Sequence, residues 1–429
     1  MLPSFRRVKD ILPNGLRLVT VELPHLHTAA LVVYAKVGSR YESPPDNGLS
    51  HFLEHMLFRG TARYPSSYQL NYAIEDLGGT LYAETGRDYS LYQISLNPEL
   101  IAQGIALFAE IFGAPAFTQL ELEREIVLEE INEDLDERGR DVNLDDLGRK
   151  LAFPDHPLGQ KITGPPENVS RFTIDDCRRH FARFYGARNL IVCVSGPVSR
   201  EGVLAAALPT LGKLPEGGEG DTAAPRALDG GPHFAYDESP GAQTAVQVLF
   251  RALPEADPDF VAVQALGRVL DDGMSTRLHY TLCDQLGLAY YVSSSIEPFH
   301  DAALFELDGA AAHGKFAELV SGMLFLLDRF RKEPVTAEEL AKAKRRYRYD
   351  LASAFDDADA MAGWFGGTEL FYPPPSYETK VGRMEAVTAE DIQRAARRVF
   401  DPAHLVVAAS GALTEKQKRD VTKVVKTWR

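Results

Sequence analysis

The sequence predicts an α+β fold built from two homologous halves, each a β-sheet with helices on one face. Three observations lead to this prediction. The chain has 429 residues, which is more than one ordinary domain contains. Short β-branched segments alternate with longer amphipathic segments, as in domains that pack helices on a sheet. The second half of the chain repeats the order of these segments in the first half, with weak sequence similarity.

The first half begins with two predicted strands, LRLVTVE and AALVVYAKVG, which are rich in β-branched residues and bounded by turn residues. A helical run follows around residues 47–59. A second helix is predicted in SSYQLNYAIEDLGG, which has a serine cap and a glycine stop. A strand pair is predicted in TLYAETGRDYSLYQISL, and two further helices in PELIAQGIALFAEIFGAP and FTQLELEREIVLEEINEDLDE.

The second half repeats this order. TAVQVLFRA corresponds to AALVVYAKV, KFAELVSGMLFLLDRF to ELIAQGIALFAEIF, and VTAEELAKAKRRYRYDL to FTQLELEREIVLEEI. Between the halves, GKLPEGGEGDTAAPRALDGGP is dominated by glycine, proline and charge, and no hydrophobic period survives in it. We therefore predict domains at residues 1–215 and 233–429, joined by a Gly/Pro-rich linker at 216–232.

Charge and composition exclude several classes of partner. Asp and Glu number 61 against 46 Lys and Arg, giving a net charge of −15. Such a surface repels phosphate backbones and anionic lipid, so we expect neither nucleic acid nor membrane as a partner. Cys177, Cys193 and Cys283 show no C-x-x-C spacing, which is typical of a reducing compartment. With no signal-peptide pattern at the N-terminus, the sequence predicts a cytoplasmic protein.

The segment GLSHFLEHMLFRGT places His51, Glu54 and His55 in one apolar helical run. Residues four apart share a helix face, so both imidazoles can point at one ion, and Glu54 can reach a water molecule there. This pattern, H-x-x-E-H, is the H-E-x-x-H motif of zinc peptidases in inverted order. The alternative is a pair of ordinary buried histidines. A chance H-x-x-E-H is on the order of one in a hundred for such a chain, but the motif lacks a third ligand.

The helix LELEREIVLEEINEDL offers that ligand. Glu123, Val127 and Glu130 lie on one face, whereas Glu125 and Glu129 fall toward the opposite, solvated face. A carboxylate on a packed face is costly unless it is paired or binds a cation. Glu130 as a ligand and Glu123 as the residue that orients a histidine would offset that cost. From these residues alone, a solvated acidic helix is an equally good interpretation.

These residues carry a resemblance that covers nearly the whole chain. The sequence is similar to the M16 (pitrilysin-type, inverzincin) metallopeptidases, and most of all to the bacterial two-domain branch that resembles the mitochondrial processing peptidase subunits. The resemblance implies a LuxS/MPP-like metallohydrolase fold for both halves. The matching stretches are LPNGLRLV, VGSRYESPPDNGLSHFLEHMLFRGT, LGGTLYAETGRDYSLYQI, ELEREIVLEEI, FPDHPLG, DGMSTRL and LGLAYYVSS.

The family's metal signature is H-x-x-E-H followed after about 75 residues by Glu, and Glu130 lies 75 positions after His55. The resemblance implies that His51, His55 and Glu130 bind one zinc ion, that Glu54 is the general base, and that Glu123 supports the site. It further implies a zinc endopeptidase that acts on short or unfolded peptides in a chamber between domains and subunits. The alternative is a non-catalytic core or assembly subunit of the same fold.

The family strand that takes the substrate as an added β-strand has the pattern G-G-x-x-N-A-x-T. Here the sequence has Gly78, Gly79, Tyr82, Ala83 and Thr85, with Tyr in place of Asn. The resemblance implies that four of these residues contact the substrate, namely Gly79, Tyr82, Ala83 and Thr85. Backbone pairing of this kind does not require the Asn side chain.

The second half of family members carries an Arg and a Tyr seven residues apart, which hold the peptide and stabilise the developing oxyanion. Here Tyr290 is present, but Cys283 stands in place of Arg, and the nearest arginine is Arg277, six residues upstream. A thiol cannot supply a bidentate cationic donor. The hypothesis from this departure is a heterodimer, in which a homologous subunit supplies the Arg/Tyr pair to this zinc-bearing chain.

Overall fold

The computed structural model describes residues 4–139, 142–218, 220, 222–228 and 230–429. The chain folds into two compact units, each made of three segments. Unit 1 consists of Met1–Glu133, Gln160–Ala223 and Asp350–Pro375, and unit 2 of Asp134–Gly159, Ala224–Tyr349 and Ser376–Arg429. Residues 219, 221 and 229 of the predicted linker lie outside the described residues.

The sheet of unit 1 has the strand order β1-β2-β6-β3-β5-β4. β2 pairs with β6 in parallel, and the other neighbours are antiparallel. The central strands β3 and β6 are buried along their whole length, whereas β4 is a sheet edge. The strands are β1 (Arg6–Ile11), β2 (Arg17–Glu22), β3 (Ala29–Ala35), β4 (Leu81–Thr85), β5 (Ser90–Leu96) and β6 (Leu190–Gly196).

The sheet of unit 2 has the order β7-β11-β8-β10-β9. Its strands are β7 (His233–Glu238), β8 (Gln243–Ala252), β9 (Val292–Pro298), β10 (Ala303–Ala312) and β11 (Val406–Gly411). β7 and β11 are parallel and the remaining pairs antiparallel, so this sheet repeats the β2-β6-β3-β5-β4 order of unit 1. The predicted pair of homologous sheet-plus-helix halves is therefore confirmed.

The helices follow the amphipathic segments of the sequence. In chain order they are α1 (Leu49–Leu57), α2 (Ser67–Glu75), α3 (Ile101–Gly113), α4 (Leu120–Glu133), α5 (Leu144–Ala152), α6 (Pro166–Val169), α7 (Ile174–Phe184), α8 (Arg200–Ala207), α9 (Phe260–Leu270), α10 (Arg277–His279), α11 (Phe316–Lys332), α12 (Ala337–Ser353), α13 (Ala358–Ala362), α14 (Tyr377–Ala386), α15 (Ala389–Val399) and α16 (Glu415–Thr427). Among the described residues, no helix is long and apolar enough to cross a membrane.

The compact units differ from the predicted contiguous domains at two segments. α5 follows α4 of the first half but packs on β8 and β11 of unit 2, and α13 follows α12 of the second half but packs on β3 and β6 of unit 1. Glycines allow both close approaches. A Cβ at Gly148 in α5 would lie 2.5 Å from Leu249 Cδ1, and one at Gly366, in the π-helical turn that follows α13, would lie 2.5 Å from Cys193 Cβ. The halves therefore exchange one helical segment each.

Candidate metal centre

The H-x-x-E-H motif lies on α1, whose N-terminus is held by a buried carboxylate. Glu42 accepts hydrogen bonds from the backbone N–H groups of Gly48 at 2.8 Å and Ser50 at 2.6 Å. These are orphan donors of the first helical turn, where a carboxylate also complements the helix dipole. Gly48 has φ of 99°, and a Cβ there would lie 2.6 Å from the carbonyl oxygen of Thr163. The start of α1 is thus fixed by Glu42 and by a position that needs glycine.

α1 buries its apolar side chains and keeps the motif at the edge of that face. Phe52, Leu53, Met56 and Leu57 are fully buried in the core of unit 1, as is the hydroxyl-bearing Ser50. His51 is buried, while His55 is half-buried. The ring centroids of His51 and His55 lie 4.7 Å apart, as the spacing of four residues predicts.

α4 brings a third donor to the two histidines. Nε2 of His51 lies 3.4 Å from Oε1 of Glu130, and Nε2 of His55 lies 3.6 Å from Oε2 of the same carboxylate. One ligand atom from each of the three residues lies within 4.8 Å of the others, and no other group of three His, Cys, Asp or Glu in the described part of the chain meets this condition. Glu130 is exposed, as are Glu125 and Glu129. Of these three residues, Glu130 is the one whose carboxylate lies within 3.6 Å of both imidazoles.

The separations match a metal site better than a hydrogen-bonded cluster. Distances of 3.4 and 3.6 Å from imidazole nitrogen to carboxylate oxygen exceed those of good hydrogen bonds. Ligand atoms around a tetrahedral zinc ion with bonds of about 2.0–2.1 Å would lie roughly 3.3 Å apart. The contact with His51 also lowers the pKa of Glu130, which favours the anionic form that binds a cation. The three residues present therefore fit a zinc ion.

Glu123 fixes the orientation of His55. Its carboxylate Oε1 lies 2.8 Å from Nδ1 of His55, and its Oε2 accepts a hydrogen bond from Nε of Arg59. A carboxylate only accepts, so Nδ1 of His55 carries the proton and Nε2, which faces Glu130, has a free lone pair. Glu123 is 2% exposed, and Arg59 compensates the cost of burying its charge. This arrangement supports the predicted role of Glu123.

Glu54 lies between the two histidines in sequence and holds its carboxylate apart from the three-residue cluster. Its Oε2 accepts a hydrogen bond from the hydroxyl of Thr85, the last residue of β4. Among the described residues no other donor reaches the Glu54 carboxylate. Oε1 of this half-buried carboxylate is therefore left without a donor in the described part of the chain, and Glu54 lines the same cavity as His55.

Comparison with known proteins identifies the family of this chain. The family model "Insulinase (Peptidase family M16)" matches residues 17–166, and "Peptidase M16 inactive domain" matches residues 171–347. Together the two models cover most of the chain. The chain belongs to peptidase family M16.

Three relatives illustrate the extent of this similarity. An uncharacterized zinc protease of Rickettsia bellii is 29% identical over 397 residues, which is 91% of this chain and 94% of the relative. A protease from Helicobacter pylori has the same fold with a TM-score of 0.85 at 23% identity, covering 96% of this chain and 100% of that one. The structure of a peptidase M16 inactive domain from Pseudomonas fluorescens also has a TM-score of 0.85, at 20% identity, and the match covers 95% of this chain and 99% of that one. The M16 resemblance of the sequence is thus confirmed.

The substrate strand of the M16 pattern corresponds to β4, but its residues lie on two faces. Leu81, Ala83 and Thr85 face α1, whereas Tyr82 is 53% exposed and donates a hydrogen bond to Oε2 of Glu84 at 2.8 Å. Alternation along the strand therefore separates Tyr82 from Ala83 and Thr85. Packing also explains the glycine at position 79, because a Cβ there would lie 2.1 Å from the carbonyl oxygen of Ser95.

In unit 1 of this M16 chain, a cavity of about 370 Å³ is lined by Glu54, His55, Ala83 and Glu123 of the predicted site, together with further residues. The residues that line it and were not predicted are Phe58, Arg59, Ser67, Asn71 and Leu81. Three of them were accessible from the sequence. Phe58 and Arg59 are three and four residues after His55 in the same predicted helical run, and Leu81 points to the same side of its strand as Ala83. Ser67 and Asn71 come from α2, and no local signal connects that helix to the site.

Tyr290, Cys283 and Arg277, the residues compared with the Arg/Tyr pair of the family, lie in unit 2. Tyr290 is 93% exposed. Cys283 lies in a π-helical turn, Tyr280–Gln285, and burial raises the pKa of its thiol. Arg277 forms a bidentate ion pair with Glu339, at 2.6 and 2.7 Å, and its guanidinium lies 4.5 Å from the ring centroid of Phe330. The arginine nearest to Cys283 in sequence is therefore already bound.

Proposed function

We propose that this chain is a zinc-dependent metalloendopeptidase that hydrolyses short or unfolded peptides. The observation that carries the proposal is the convergence of His51, His55 and Glu130, with Glu54 lining the same cavity as His55. The Rickettsia relative is named as a zinc protease, which supports the same metal and reaction.

The donor set is typical of catalytic zinc, in which three protein ligands leave a fourth position open. Bound there, zinc would supply Lewis-acid polarisation of the peptide carbonyl and lower the pKa of a water molecule. Glu123 holds the proton on Nδ1 of His55, so that Nε2 remains the ligand atom. Because the three ligands come from two helices with buried faces, they converge without large rearrangement.

Glu54 is the proposed general base. Thr85 occupies Oε2 of its carboxylate, so Oε1 is the oxygen that takes the proton from the attacking water. The same Oε1 then gives the proton to the leaving amine, which departs as a neutral group. The two other carboxylates beside the histidines are engaged, because Glu123 is held by His55 and Arg59, and Glu130 faces both imidazoles.

Peptides are the proposed substrates because the site lies beside a sheet edge. β4 pairs with β5 on one side only, and an extended peptide can add to the other side through backbone hydrogen bonds. Ala83 and Leu81 of β4 line the cavity next to Glu54, which would place a substrate side chain near the general base. Of the predicted substrate contacts, we therefore retain Ala83 and the backbone of β4.

We further propose that a homologous partner subunit completes the active site and encloses the peptide in a shared chamber. Cys283 replaces the expected arginine, and Arg277 cannot substitute for it while it is bound to Glu339. This chain keeps only Tyr290 of the expected pair, and its side chain is exposed, so the partner subunit would supply the complete Arg/Tyr pair. The test compares the zinc-loaded chain alone with its complex with a partner. Equal rates of peptide cleavage by the two would contradict the heterodimer.

The proposed peptidase activity is tested with Glu54→Gln. We expect peptide cleavage to fall by about 10³-fold, since the amide cannot accept a proton, while zinc content stays at one ion per chain. Glu125→Gln, which changes an exposed carboxylate on α4, is the matched control. Full activity in Glu54→Gln would overturn the mechanism. A zinc-free wild-type chain would instead favour the alternative, a non-catalytic core or assembly subunit.

A cytoplasmic location remains a prediction. Cys177, Cys193 and Cys283 are all free thiols, which supports a reducing compartment.

A further inference from the structure

We propose that Thr85 is a positioning residue for the general base, and that it does not contact the substrate. This inference rests on the proposed function, because it gives Thr85 a part in the same reaction. The pattern of the substrate strand suggested a substrate contact, but the structure uses the hydroxyl of Thr85 to hold Oε2 of Glu54.

The contact determines which oxygen of Glu54 can react. A glutamate has three rotatable side-chain bonds, and the carboxylate at the end of an otherwise free chain would sample several directions. Thr85 is the only hydrogen-bond donor to Glu54 among the described residues. With Oε2 held, the carboxylate has fewer orientations to sample, and Oε1 stays available for water. A hydrogen bond to an ionised group is among the stronger ones in a protein.

The strand holds Thr85 rigidly. Thr85 pairs with Ser90 across β4 and β5, and the turn between them closes with a hydrogen bond from Gly86 N–H to the carbonyl of Tyr89 at 2.9 Å. Within this turn, Asp88 pairs with Arg40 at 3.0 Å, and both side chains are buried. A buried ion pair in the turn that follows Thr85 limits movement of the end of β4.

The side chain itself suits positioning and does not suit substrate binding. Thr85 is 7% exposed, so a bound peptide would have to displace packed atoms to reach its hydroxyl. Its one proton is already donated to Glu54. Threonine is β-branched and has a restricted χ1, which fixes the direction of the hydroxyl better than serine would.

Two substitutions and one control test this role. Thr85→Val keeps the shape and removes the hydroxyl, and Thr85→Ser keeps the hydroxyl on a less restricted side chain. The matched control is Ser95→Ala on β5, which removes a hydroxyl that donates to the carboxylate of Asp359 at 3.0 Å. Each variant is loaded with zinc, and kcat and KM for a fluorogenic peptide are measured together with the zinc Kd.

We expect Thr85→Val to lower kcat by about 10- to 100-fold, the effect of losing one hydrogen bond to a charged group. KM and the zinc Kd should stay within about twofold of wild type, Thr85→Ser should recover most of kcat, and Ser95→Ala should retain it. A raised KM with unchanged kcat would identify Thr85 as a substrate contact and overturn the proposal. A kcat within about twofold of wild type in Thr85→Val would also overturn it.

A second measurement separates this inference from the proposed function. If the wild-type zinc-loaded chain cleaves no peptide, the proposed function fails, and crystal structures of zinc-loaded wild type and Thr85→Val decide the role of Thr85. Glu54 in a single rotamer in wild type and in several in Thr85→Val would support positioning. The same single rotamer in both would contradict it.

Discussion

Nδ1 of His55 lies 2.8 Å from the buried carboxylate of Glu123, which places a proton on that nitrogen and directs the other toward Glu130. We expect Glu123→Ala to weaken zinc binding by about 10- to 100-fold, because residues that orient a metal-binding histidine have effects of this size. The measurement is zinc affinity by competition with a chromogenic chelator. Glu125→Ala removes an exposed carboxylate from the same helix and should leave the affinity unchanged. Equal affinity in both variants would contradict the role of Glu123.

Glu42 caps the helix that carries the motif. Glu42→Ala leaves the backbone N–H groups of Gly48 and Ser50 without their acceptor, and we expect a loss of about 2 kcal/mol in the free energy of unfolding. Urea unfolding of the metal-free chain measures it. Since the cap holds the start of α1, zinc affinity should also fall. A variant with unchanged stability would show that water replaces the carboxylate at no cost.

Gly366 allows the segment 350–375 to lie on β6. Gly366→Ala would place a methyl group 2.5 Å from Cβ of Cys193, and overpacking of this kind costs about 1–3 kcal/mol. Gly363→Ala is the control, because a Cβ at that position would meet nothing closer than the Tyr34 hydroxyl at 3.9 Å. Thermal unfolding should show a lower Tm for Gly366→Ala only. A similar Tm for the two variants would mean that the segment shifts to make room.

The Arg277–Glu339 pair predicts a dependence of stability on pH. Burial raises the pKa of Glu339, but hydrogen bonds from Arg277 and Thr336 and the charge of Arg277 together outweigh burial and lower this pKa to about 2. A glutamate in the unfolded chain has a pKa of about 4.3. The stabilisation is therefore complete above about pH 4.3 and is lost as the pH falls toward about 2.

The measurement compares urea midpoints of wild type and Glu339→Gln at about pH 6 and about pH 2.5, on either side of the unfolded-state pKa. We expect the variant to be less stable at the higher pH, and the difference to shrink at the lower one. Glu338→Gln, which changes an exposed neighbour on α12, should follow wild type at both values. A constant difference between wild type and Glu339→Gln would rule out protonation of this carboxylate as the cause.

The parts of the site that follow from the sequence are those set by local periodicity. His51 and His55 share a face because they are four residues apart on a helix, and Glu130 was placed by the face of α4 together with the family spacing. Contacts made across the fold leave no such signal. The cap from Glu42, the hydrogen bond from Thr85 and the two α2 residues in the cavity all depend on how separate elements pack.

The same limit applies to the fold. The repeat of strands and helices was visible in the sequence, and both sheets confirm it. The exchange of α5 and α13 was not visible, because an amphipathic helix shows which of its faces is apolar and not which sheet will cover that face. The predicted linker was identified from its composition, and the chain does pass from unit 1 to unit 2 there. The chain also passes between the units after residues 133, 159, 349 and 375, and these crossings were not predicted.

The exchanged segments have a consequence for synthesis on the ribosome. The sheet of unit 1 receives its covering segment only when residues 350–375 have emerged, long after its last strand, β6, is complete. Until then the apolar face of β3 and β6 is open to chaperones or to other nascent chains. We expect a fragment that ends at residue 223 to aggregate and to be rescued by co-expression of residues 224–429. Such a rescue would show that the two halves of the gene encode one folding partnership, although each resembles an independent domain.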